Sequence, residues 1–108
     1  SRTGVRAAHY APRTPVRLVA QAELAAHTAN GLVAVLAFPT SLAALPERPG
    51  LVLRAAPESA AEYARALYGN LRELDALGCE RIVVERPPQT EAWRGINDRL
   101  QRAAAATP

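Results

Sequence analysis

A chain of 108 residues, 49% of them apolar, can close one domain around one core and leaves no room for a second. A single cysteine, Cys79, excludes an intrachain disulfide, and two distant histidines, His9 and His27, lack partners at ligand spacing, so no metal site is expected. The net charge of +3 comes from 13 arginines without one lysine. Four lie near the start and the rest are scattered among acids, a pattern that argues against direct nucleic-acid binding and removes the lysine that Schiff-base and phosphate-loop chemistry use.

The first fifteen residues carry His9-Tyr10-Ala11-Pro12-Arg13-Thr14-Pro15. Two prolines in four residues force an extended path, because proline fixes its own φ and pushes its predecessor away from helix. Flexible spacers use Gly and Ser, and stiff ones use Pro alone. A His-Tyr pair in such a segment therefore reads as a strap that lies against something. The plainer reading is an ordinary linker, and the sequence pattern leaves both open.

Residues 16–108 read as the domain proper. Val16 to Val19 is the first strand. Gln21 to Ala29 is a short helix closed by Asn30-Gly31, a helix-stop signal. Gly31 to Phe38 is apolar almost throughout, which suits a central strand covered on both faces. Prolines 39, 46 and 49 break the next stretch into a loop with one helical turn at Ser41 to Leu45. Leu51 to Arg54 is a short third strand near an edge. Ser59 to Leu77 is the best helix: Ser59 and Glu62 form a capping box, and Ala60, Ala64, Leu67, Leu71 and Leu74 make one apolar stripe. Gly78 ends it, with Cys79 as filler at the turn. Arg81 to Glu85 is the fourth strand, closed by Pro87-Pro88. Thr90 caps a last helix with Trp93, Ile96, Leu100 and Ala103 inward.

Strands alternating with helices predict an α/β fold: a small three-layer, Rossmann-like domain with a mainly parallel four-stranded sheet in order 3-2-1-4. Such a sheet invites a nucleotide. The turn that would hold its phosphate, Val19-Ala20-Gln21-Ala22, has no glycine, and no Walker sequence occurs. Hydroxyls in Pro39-Thr40-Ser41 and Ala56-Pro57-Glu58-Ser59 keep a ligand at the sheet's carboxyl edge open. Glu73 and Asp75 stand two apart on the long helix, so they point to different sides and read, with Arg72, as a helix-end charge set. Asn97, Asp98 and Arg99 are candidates for a ligand or for contact with a neighbouring domain; local surface hydrogen bonding is the alternative. Tyr63, Tyr68 and Trp93 read as core or rim packing. No residue stands out as catalytic.

Three segments together are similar to a known family: the His-Tyr-Ala-Pro strap, Ala60 to Asp75, and Ile96 to Ala103. In this order and spacing they resemble the C-terminal region of long-form threonylcarbamoyl-AMP synthases, over Gly4 to Ala104. In that family a YrdC-type catalytic domain is followed by a linker with a His-Tyr-x-Pro motif and a small Sua-type accessory domain. The resemblance implies that residues 1–15 are the interdomain linker and that His9, Tyr10 and Pro12 close as a lid over the catalytic domain of the same polypeptide. It implies a parent nucleotidyltransferase that makes threonylcarbamoyl-AMP from threonine, bicarbonate and ATP, with magnesium, for threonylcarbamoyladenosine modification of tRNA in the cytoplasm. The chain itself would be inactive and bind no cofactor. The competing expectation is a stand-alone regulatory module that binds a nucleotide or another small ligand. No apolar stretch is long enough for a membrane span.

Overall fold

The computed structural model describes residues 11–106. The chain runs β1 (Val16–Val19), a 3-10 turn (Gln21–Glu23) leading into α1 (Leu24–His27), β2 (Val33–Ala37), α2 (Pro39–Ala43), β3 (Leu51–Ala55), α3 (Ala60–Asp75), β4 (Arg81–Glu85), a second 3-10 turn (Glu91–Trp93) and α4 (Arg94–Ala105). Every pair of neighbouring strands is parallel. Helices cover both faces, giving the expected three-layer α/β architecture.

Strand alternation sorts the apolar side chains into two cores. On one face Val16, Ala34, Leu36, Ile82 and Val84 meet α3 and α4 through Tyr63, Leu67, Leu71, Leu74, Trp93, Ile96 and Leu100. On the other, Val19, Val33, Val35, Ala37 and Val83 meet Leu24, Leu42 and Leu45. β2 is buried at all five positions, as its unbroken apolar run predicts. Ser59 caps α3 by accepting the Glu62 N–H at 3.2 Å. Thr90 makes no such cap; its carbonyl accepts the Trp93 N–H at 3.0 Å and starts the 3-10 turn instead.

The strand order is β1-β4-β2-β3, not 3-2-1-4. β4 has taken the place between β1 and β2, so the sheet departs from half of a dinucleotide fold. Burial explains the exchange. β4 buries Ile82, Val83, Val84 and even Glu85, which demands a neighbour on each side. β1 leaves Arg17 exposed and Leu18 half-buried, and β3 leaves Val52 and Leu53 exposed, so these two tolerate the edges.

Candidate functional site

In open parallel sheets ligands sit beyond the carboxyl ends of the strands. The backbone at that edge lacks the usual phosphate cradle. Ala20, after β1, is ordinary extended chain at φ −68 and ψ 153. Among the described residues the positive-φ positions are Gly31, Gly50 and Gly78, and each precedes a strand, on the opposite edge. Gly31 is favoured there by its φ of +84, a left-handed conformation that side chains with a Cβ rarely adopt. Arginines stitch the same edge: Arg48 donates to the carbonyls of Thr28 and Gly31, and Arg81 to those of His27 and Asn30.

At the carboxyl edge the chain supplies its own anion. Glu85, 7% exposed at the end of β4, accepts the Phe38 N–H at 3.0 Å through Oε1. The Ser41 hydroxyl donates to its Oε2, also at 3.0 Å. These are donors at the start of α2 of the kind a phosphate would use. The Ser59 hydroxyl, at the same edge, is engaged as the α3 cap. Beside Glu85 stands an aromatic cluster. Tyr63 and Trp93 meet edge to face with centroids 5.3 Å apart, and Phe38 lies 5.9 Å and 6.0 Å from them. The Tyr63 hydroxyl is buried and makes no hydrogen bond among the described residues. Burial, and then the nearby Glu85 carboxylate, push its pKa above the ordinary tyrosine range.

A polar cavity of about 210 Å³ opens where β4 leads into α4, and Asn97 and Asp98 line it. Arg99 does not; it borders a separate groove between α3 and α4 beside Ala60, Ala64 and Ile96. The structure therefore divides the sequence triplet. Asn97 is buried and committed internally. Its Nδ2 donates to the Pro88 and Trp93 carbonyls, both at 3.0 Å, and its Oδ1 accepts from Gln89 at 3.3 Å. It braces the loop between β4 and α4.

The third region is where the linker joins the domain. Of the lid candidates, His9 and Tyr10 lie outside the described residues. Pro12 is described and buried, as is Thr14 at 7% exposure. Asp75, the last residue of α3, takes two consecutive strap amides: Thr14 N–H donates to Oδ1 at 2.8 Å and Arg13 N–H to Oδ2 at 3.1 Å. The Pro15 carbonyl accepts the Ile82 N–H at 2.8 Å. Glu73 turns away and pairs with Arg54 at 2.6 Å, so the expected charge set of Arg72, Glu73 and Asp75 is not one group. Sequence pattern gives no role to Glu85 and marks Asp75 only as a helix-end charge. The available signals were an acid in the last turn of a helix, against the helix dipole, and an acid closing an otherwise apolar strand before a Pro-Pro pair.

Among the described residues no three His, Cys, Asp or Glu side chains could share a metal ion, and no helix is long and apolar enough to cross a membrane. The model of the family described as threonylcarbamoyl-AMP synthase, C-terminal domain, matches residues 1–105. No curated protein matches the chain.

Proposed function

The chain belongs to the family of threonylcarbamoyl-AMP synthase C-terminal domains, and from that premise we propose that it is the accessory module that carries the active-site linker of such a synthase. The parent would join threonine, bicarbonate and magnesium-bound ATP into threonylcarbamoyl-AMP, release pyrophosphate and so feed threonylcarbamoyladenosine into tRNA. The YrdC-type domain of the same cytoplasmic polypeptide would do the chemistry. His9 and Tyr10 would close over it as a lid, with Pro12, buried on this domain, at the lid's root, and Asn97, Asp98 and Arg99 are open to domain contact only at their exposed atoms. A lid suits this reaction, because the carbamate and the mixed anhydride are labile and closure excludes water.

The observation that supports this reading is the family match, which spans strap and domain together. The attachment of Arg13 and Thr14 to Asp75 agrees with a module built to hold a strap. Against a stand-alone nucleotide module stands Glu85, an anion already bound to the donors at the carboxyl edge.

The test is kinetic. The chain alone should release no pyrophosphate from ATP above background when threonine and bicarbonate are added, and calorimetry should detect no ATP binding to it. In the full-length parent, Tyr10→Ala should lower kcat/KM by about ten- to hundredfold, the scale of one aromatic contact plus a hydrogen bond. Arg13→Ala, which removes an exposed side chain and keeps the amide, should do far less. Equal and negligible effects at both positions would reduce the strap to a spacer.

A further inference from the structure

We infer that Asp75 is a positioning residue for the synthase: it fixes the direction in which the linker leaves this domain, and so couples the domain to the lid. The inference rests on the lid reading above and adds the residue through which the lid is held.

Three observations carry it. First, Asp75 sits where a helix disfavours an acid. It ends α3, where the exposed carbonyls place partial negative charge. A carboxylate there must have a compensating partner, and this one accepts two backbone N–H groups, one to each oxygen. Second, those amides belong to consecutive strap residues. Two bonds to adjacent amides fix orientation as well as position, much as a two-pronged contact does. The Thr14 bond is part-buried, so losing it costs more than losing the exposed Arg13 bond. Third, the strap is held on both sides of this contact. Pro12 is buried just before it, and the Pro15 carbonyl is bonded to Ile82 of β4 just after it. The prolines stiffen the backbone between these points. The chain thus enters β1 from a set direction, and Pro12, which ends the His-Tyr-Ala-Pro sequence, lies one residue from the clamp.

The consequence is a population effect. If the synthase needs the strap closed, loosening its anchor lowers the fraction of competent molecules and raises the apparent KM by the inverse of that fraction. The chemical step in a closed molecule is unchanged, so KM should move more than kcat.

The experiment has two arms. In the chain described here, Asp75→Asn removes the charge and turns one acceptor into a donor facing an N–H. Amide exchange at Arg13 and Thr14 should quicken by about tenfold or more, the scale of one lost charge-assisted hydrogen bond, while β4 amides keep their protection. In the full-length parent, the same variant should raise the KM for threonine by about three- to tenfold, with kcat changed less. Asp75→Glu, which keeps the charge on a longer arm, should fall between the two. Glu73→Gln, a neutralised acid on the same helix that faces Arg54, should leave both readouts at wild type. Unaltered exchange at Arg13 and Thr14 in Asp75→Asn overturns the clamp. Faster exchange with unaltered KM overturns the positioning role while the lid stands, provided Tyr10→Ala is impaired. If Tyr10→Ala is also unimpaired, it is the lid reading that has failed.

Discussion

Two carboxylates use the same chemistry at opposite purposes. Glu85 and Asp75 each accept a backbone N–H from a segment far away in sequence, 47 and 61 residues respectively. Glu85 is buried at the carboxyl edge of the sheet, and its partners Phe38 and Ser41 belong to the domain's own framework. Asp75 is half-buried at the end of α3, and its partners belong to the segment that leads out of the domain. The first consumes the place where this class of fold holds a phosphate. The second fastens an upstream segment to the end of α3. An α/β domain can thus fill its ligand edge with internal structure and hold a long-range backbone contact elsewhere.

Loss of core packing sets the scale for breaking this comparison. Leu71 is fully buried on α3, and Leu71→Ala should cost about 2–5 kcal/mol by denaturant titration, through lost burial plus a cavity. Glu85→Ala should come next, at about 1.5–3 kcal/mol, because it strips a charged acceptor from two donors, one of them the buried Ser41 hydroxyl. Its melting temperature should drop even though the side chain lies at the ligand edge. Asp75→Asn should cost only about 1 kcal/mol or less in global stability, since the Arg13 bond is exposed and the strap is peripheral to both cores. A drop as large as that of Glu85→Ala would make Asp75 a framework residue and erase the contrast.

The smallest effect should have the opposite sign. The buried Tyr63 hydroxyl has no hydrogen-bond partner among the described residues, so Tyr63→Phe should leave stability unchanged or raise it by about 1 kcal/mol. The alkaline limb should change as well. Burial holds the Tyr63 proton in the folded state above the pH near 10 at which the unfolded chain releases it. Stability from this group is therefore complete below about pH 10 and is lost as pH rises beyond it. Urea midpoints measured from pH 8 to 11 should fall less steeply for Tyr63→Phe than for the wild type. Identical slopes would mean that the hydroxyl is not sealed beside Glu85.

Local chemistry made most of the elements readable. The strands Val16–Val19 and Arg81–Glu85 and the Ser59 cap follow from apolar runs, turn residues and a capping pattern, all of which act within a few residues. The inward residues of α4 follow from helical spacing: Ile96, Leu100 and Ala103 are buried, as is Trp93 in the 3-10 turn that leads into the helix. The candidate site was less legible. Asn97 carried a polar signal, yet its donors and acceptor are spent on Pro88, Trp93 and Gln89. Asp75 looked like one of several surface charges, because spacing along one helix says nothing about a strap 61 residues upstream.

The sequence by itself determined the class of the fold, the absence of a glycine cradle after the first strand and the family's strap ahead of the domain. These are properties of composition, of period and of short ordered segments, and they need no knowledge of what lies across the sheet. Tertiary structure alone decided the order β1-β4-β2-β3, the filling of the carboxyl edge by Glu85 and the fastening of the strap by Asp75. Strand order depends on which edges find partners after the faces are covered, and face periodicity does not encode it. A carboxylate's role depends on which amides the completed fold brings within about 3 Å, and only long-range packing sets that distance.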